Sequence, residues 1–97
     1  MPIFYNLTPP HVAMQAASRL CPEPLAGVTT PLRVSQERFG SVRRAYIEAS
    51  EDQAISLEMQ RDMQAALPCD PVVTLRSDHS PFYSAVPELS RTLLSFV

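Results

Sequence analysis

The sequence predicts an α/β fold built as βαβα around an incomplete parallel sheet. Two strand-like runs, Val42–Ala49 and Val72–Leu75, flank a helical segment that begins near Ser56. The connections around that helix are short, so the two strands run parallel. The apolar helix faces also outnumber the surfaces that two strands can cover. A two-stranded parallel sheet leaves both edges open, so the segment suits a sheet larger than the one it contains.

Each element has its own signal. Thr8-Pro9-Pro10 reads as a helix start, with Thr8 as N-cap and Pro9 at the first helical position. Val12, Ala16 and Leu20 then recur at four-residue spacing as one apolar stripe. Cys21-Pro22-Glu23-Pro24 ends the helix, because proline cannot continue it. From Leu25 to Gly40 turn signals occur without a sustained period, which predicts an irregular connection. In the run Val42–Ala49, Val42, Tyr46 and Ile47 favour the pleated state. Ser56 is a suitable N-cap for the next helix, which places Met59, Met63, Ala66 and Leu67 on an apolar face and stops at Pro68. Val72-Val73-Thr74-Leu75 is nearly continuous and β-branched, as in a strand buried on both faces. A last helix starts at Pro87-Glu88 with Val86, Leu89, Leu93, Phe96 and Val97 on its apolar side.

Composition narrows the function. The chain has 97 residues, one small domain or part of a larger one, and its 45% hydrophobic content is that of a globular protein. A net charge of -2 gives no basic field for nucleic acid or anionic lipid, so neither is expected as a partner. With only 2 glycines, a phosphate-cradling loop is disfavoured and no cofactor is expected. The start Met1-Pro2-Ile3-Phe4-Tyr5-Asn6 lacks the basic and long apolar regions of a signal peptide, and no apolar run is long enough to span a bilayer. The expectation is a cytoplasmic protein. Cys21 and Cys69 read as two buried, reduced thiols. Together with His11 and His79 they match no zinc spacing, so no metal is expected.

The chemistry-bearing residues follow the two strands. Ser50-Glu51-Asp52-Gln53 comes after the first, and Ser77-Asp78-His79-Ser80 after the second. In a parallel sheet both segments lie on the rim at the carboxyl ends of the strands, where open α/β sheets bind ligands. Neighbouring strands are about 4.8 Å apart, which brings a carboxylate within reach of an imidazole. Asp52 can then accept a hydrogen bond from His79, fix its tautomer and aim the other ring nitrogen at a nucleophile. Asp52 can equally serve as a turn or capping residue, and His79 as an ordinary loop histidine. Glu51 is the rival acid, otherwise a solvated neighbour. Asp78 is adjacent to His79, and adjacent side chains diverge, which favours Asp52; the same divergence weakens Ser80 as a nucleophile. Cys69 lies in the turn before the second strand, at the opposite end of the sheet from His79. No G-x-S-x-G occurs in these residues, so no nucleophile elbow accompanies the pair.

The stretch Arg38-Phe39-Gly40-Ser41-Val42-Arg43-Arg44-Ala45-Tyr46-Ile47, continued by Asp52 and Ile55, resembles the R-F-G-x-V-x-R-x-Y-I-x-x-x-x-D-x-x-I segment of one α/β-hydrolase group. That group holds plant methylesterases, hydroxynitrile lyases and bacterial esterases. The helix Glu58–Leu67 resembles the one that follows there, Asp78-His79-Ser80-Pro81-Phe82 the group's histidine loop, and Pro87-Glu88-Leu89 the start of its closing helix. Pro22-Glu23-Pro24-Leu25 and Thr30-Pro31-Leu32 resemble the exit from its helical cap. The resemblance implies the C-terminal βαβα part of an α/β-hydrolase fold with a remnant of the cap. Residues 1–34 are then the end of the cap and its connection, and residues 35–97 the strand-helix-strand-helix of the core. It implies Asp52 as triad acid and His79 as general base, acting on a small-molecule ester. Phe4, Tyr5 and the helix Val12–Leu20 are either packing residues or cap remnants that line the substrate pocket.

Two functional readings follow. In one, the chain is the C-terminal part of a serine carboxylesterase-type hydrolase, a truncated gene product or one piece of a split enzyme whose partner is the missing N-terminal half. In the other, it is a non-catalytic remnant that folds by self-association into a homo-oligomer through its open edges.

Overall fold

The computed structural model describes residues 2–97; Met1, with which the signal-peptide reading begins, lies outside them. In chain order the elements are α1 (Pro2–Tyr5), α2 (Pro10–Ala17), α3 (Leu25–Thr29), a 3-10 turn at Phe39–Ser41, β1 (Tyr46–Ala49), α4 (Leu57–Ala66), β2 (Val72–Leu75), α5 (Pro81–Ser84) and α6 (Val86–Leu94). β1 and β2 pair in parallel, with Tyr46 opposite Val72 and Ala49 opposite Leu75. The strand-helix-strand order and the parallel pairing are those expected from the sequence.

The boundaries follow from hydrogen bonding. α4 starts where expected, because the Ser56 hydroxyl accepts from the Met59 N–H at 3.2 Å. Glu58 in its first turn suits the positive end of the helix dipole. β1 is shorter than the run Val42–Ala49: it is a strand only over the four residues that β2 pairs. α2 begins at Pro10, one residue later than expected, and Thr8 is not its N-cap. The Thr8 hydroxyl is engaged by Asp78 instead, at 2.8 Å. α2 also ends at Ala17, which leaves Leu20 beyond it and exposed, while Ala16 is buried. Within the connection expected to be irregular, α3 and the 3-10 turn form, and the Arg44 guanidinium lies 5.3 Å over the Phe39 ring.

Two packing expectations are corrected. β2 is not buried on both faces: Val72 and Thr74 are exposed and only Leu75 is buried, because β1 is its sole neighbour in the two-stranded sheet of the described residues. α4 does not turn its apolar face to the sheet. Met59, Met63 and Leu67 are exposed, whereas Gln60 is buried. Polar demands of β1 decide this orientation. The Gln60 amide donates to the Ala49 carbonyl and accepts from the Ala49 N–H, both at 2.9 Å, and so pairs with the free edge of the strand as another strand would. On β1 itself, Glu48 is buried and accepts from Arg61 at 3.2 Å, Gln64 at 3.0 Å and Thr74 at 2.7 Å. These bonds, led by Arg61, hold the Glu48 carboxyl down at about 2. The thiols are also corrected: both are free, but Cys21 is exposed and Cys69 half-buried. No helix among the described residues is long and apolar enough to cross a membrane.

Candidate functional site

The ladder continues past both strands. Ser50 N–H donates to the Leu75 carbonyl and Glu51 N–H to the Ser77 carbonyl, each at 3.0 Å, so the two rim loops are stitched side by side. Asp52 stands three residues beyond Ala49 and His79 four beyond Leu75, on adjacent loops. The structure brings them together: His79 Nδ1 lies 2.9 Å from Asp52 Oδ2. Asp52 divides its two oxygens between two tasks. Oδ1 accepts from the N–H groups of Ala54 and Ile55 at 2.8 and 3.0 Å, a local turn that fixes the carboxylate. Oδ2 is left for the imidazole, so the turn role and the pairing role coexist in one side chain.

Burial differs across this pair. The Asp52 side chain is 6% exposed, while that of His79 is 39% exposed. Against an ionised Asp52, Nδ1 is the donor, and in a neutral ring Nε2 is then the acceptor atom. Among the described residues nothing bonds to Nε2. The Phe4 ring packs on the imidazole, with centroids 5.2 Å apart. A groove of about 200 Å³ runs from His79 and Asp52 along Ile47, Ala49 and Met63, beside the free edge of β1.

The other candidates are placed elsewhere. Glu51 is exposed and lies 3.9 Å from Arg76. Asp78 is fully buried and turned away from the ring. Its Oδ2 accepts from Leu7 N–H and the Thr8 hydroxyl at 3.0 and 2.8 Å, and its Oδ1 from Ser80 N–H and the Ser84 hydroxyl at 2.9 and 2.8 Å. Burial pushes the Asp78 carboxyl up, but these four donors outweigh it and the net direction is down. Ser80 is buried and Cys69 lies before β2, so neither joins His79. Among the described residues no three His, Cys, Asp or Glu side chains cluster as metal ligands would.

The sequence offers Phe4 and Tyr5 as packing or pocket-lining residues, and Phe4 does lie on the imidazole, but it does not signal that Asn6, Leu7 and Thr8 belong to this rim. Asn6 donates to the Glu51 carbonyl at 2.9 Å, Leu7 and Thr8 hold Asp78, and Phe4 covers His79. The Asp78-His79-Ser80 sequence does signal one part of it, the aspartate accepting from the N–H two residues on. The bonds to Leu7 and Thr8 cross about 70 residues and leave no local pattern.

No family model matches the chain. Individual proteins do. It is 38% identical over 93 residues to "Putative methylesterase 15, chloroplastic" of Arabidopsis thaliana, covering 94% of this chain and 21% of that protein. It is 32% identical to methylesterase 7 of the same plant, over 93% of this chain and 36% of that protein. It is 33% identical to methyl jasmonate esterase 1 of Vitis vinifera, over 96% of this chain and 37% of that protein. The crystal structure of polyneuridine aldehyde esterase superimposes with a TM-score of 0.86 at 26% identity, covering 96% of this chain and 38% of the esterase. The chain therefore spans roughly a fifth to two fifths of the length of these relatives. In sequence and in fold it corresponds to the C-terminal portion of an α/β-hydrolase, in the esterase group that includes the plant methylesterases.

Proposed function

We propose that the chain carries the acid and the base of a serine carboxylesterase-type site that acts on small-molecule esters. The supporting observation is the 2.9 Å contact between His79 Nδ1 and Asp52 Oδ2, with Nε2 directed away from the acid. In this reading a serine hydroxyl, supplied from outside these residues, gives its proton to His79 Nε2 as its oxygen attacks the ester carbonyl. The protonated ring then passes that proton to the departing alcohol. Water enters by the same route in reverse, returning the serine and releasing the acid. Asp52 stabilises the imidazolium at each stage and keeps Nδ1 as the donor. In this reading residues 1–34 are the end of a cap and its connection, which is consistent with the Phe4 ring packing on the imidazole.

The test joins this chain to the serine-bearing N-terminal portion of a methylesterase relative and follows hydrolysis of an aryl ester. Hydrolysis by the assembly is expected, and His79→Ala is expected to lower it by about 10^6-fold. Activity near that of the parent assembly in His79→Ala would overturn the reading.

A second reading has its own support. Met59, Met63 and Leu67 form an exposed apolar stripe on α4, and among the described residues β1 has a strand neighbour on one edge only, two surfaces suited to a second copy of this chain. Self-association at micromolar concentration is expected by light scattering. A well-folded monomer under those conditions would remove this alternative.

A further inference from the structure

Among the described residues Asp78 is the one fully buried acid, it adjoins His79, and the relay proposed above makes no use of it. A buried carboxylate is costly unless its lone pairs are filled. Here four donors fill them, and they come from three places: Leu7 and Thr8 in the N-terminal segment, Ser80 in the histidine loop, and Ser84 in α5. The Ser84 hydroxyl also lies 3.3 Å from Asp78 N–H, so α5 closes back on the loop. The same N-terminal segment holds the other rim loop through Asn6 and the Glu51 carbonyl, and it lays Phe4 on the imidazole. His79 itself is partly exposed, and its ring has one hydrogen bond among the described residues, to Asp52. A single bond leaves a ring free to pivot, so its direction depends on what fixes the backbone on either side.

We propose that Asp78 is a positioning residue, which clamps the segment Leu7–Thr8 to the histidine loop and thereby holds His79 Nδ1 on Asp52. This inference rests on the acid–base reading of Asp52 and His79 and adds a second carboxylate with a separate task. The first acid meets the ring; the second meets only the backbone and hydroxyls that aim the ring. Its four hydrogen bonds to N–H and O–H donors all favour the charged form, so the clamp works as a carboxylate.

The test reads the tautomer of His79 by nitrogen-15 NMR in the whole chain, with His11→Gln as background so that one imidazole remains. In this background the neutral ring is expected to carry its proton on Nδ1. Asp78→Asn places an amide N–H₂ against donors, and Thr8→Val removes one donor at nearly constant shape. Both are expected to lower the ratio of the Nδ1–H to the Nε2–H form about threefold or more, the scale of one lost hydrogen bond. Thr8→Ser restores the hydroxyl and is expected to keep the parent ratio. An unchanged ratio in Thr8→Val, with the β1–β2 amide signals intact, overturns the proposal. If Asp78→Asn does not fold, the Thr8→Val and Thr8→Ser pair decides it. Asp52→Asn separates the role of Asp52 from that of Asp78. A ring that keeps its tautomer in Asp52→Asn removes the acid–base reading, and the role of Asp78 with it. A ring that loses it there but keeps it in Thr8→Val removes Asp78 alone.

Discussion

Residues 21–39 and the rim formed by residues 4–8, 50–55 and 77–84 reach order by different means. Every residue from 21 to 39 is exposed, and its side-chain hydrogen bonds reach at most five residues along the chain. The rim buries Ser77, Asp78 and Ser80 and is joined across 45, 70 and 71 residues by Asn6, Thr8 and Leu7. The first region is a string of local turns, each able to form or fray alone. The second is a polar network in which several partners must be present together, and its members are low in volume rather than large and apolar. In this chain definition is concentrated where the candidate chemistry is, and it comes from hydrogen bonds more than from hydrophobic packing.

In the serine-bearing assembly, Asp52→Asn is expected to lower ester hydrolysis by about 10^4-fold, because the amide selects the wrong imidazole tautomer. Loss of less than tenfold would make the Asp52 contact ornamental. Next in size, Glu48→Gln removes the charge that Arg61, Gln64 and Thr74 surround, and about 2 kcal/mol of stability is expected to go with it, read by urea titration. Its pH dependence has a definite sign. The Glu48 carboxyl is held at about 2 in the folded chain against an ordinary value of 4.5, so its contribution is fully present above about 4.5 and is lost as pH falls toward about 2. Asp78 is lowered as well and acts in the same direction below its ordinary 3.8. The acid slope of stability is therefore expected to flatten in Glu48→Gln without vanishing. The smallest effect belongs to the other region: Leu32, 89% exposed, should tolerate Leu32→Ser within about 0.5 kcal/mol. A large cost there would mean that residues 21–39 pack in a way the exposed positions do not reveal.

The parts legible in the sequence were those with local signals. Ser56 and Pro68 bracket α4, and the two apolar runs with a helix between them imply parallel neighbours. That order alone puts Asp52 and His79 on one rim, so their meeting followed from connectivity and strand spacing. The face of α4 was misread because hydrophobic periodicity assumes an apolar surface opposite the helix. The actual neighbour is a strand edge with unpaired amides and a buried glutamate, and Gln60, Arg61 and Gln64 answer it. Thr8 was misread for a related reason. Its local context, before two prolines, is that of a cap, and only a carboxylate 70 residues away shows why it is not one.

Gln60 also governs where the sheet can grow. Along β1, Ala49 faces away from β2, and by the two-residue period of a strand so does Ile47. Gln60 already occupies the amide and carbonyl of Ala49, which leaves Ile47 as the outward position in β1 still open to a backbone. A further strand laid on this edge must therefore stop or veer off before the rim, about 7 Å short of where β1 would otherwise carry it. Ile47, Ala49 and Gln60 at this edge line the same groove as Asp52 and His79. One glutamine amide thus limits how far a further strand can run toward the rim that carries Asp52 and His79.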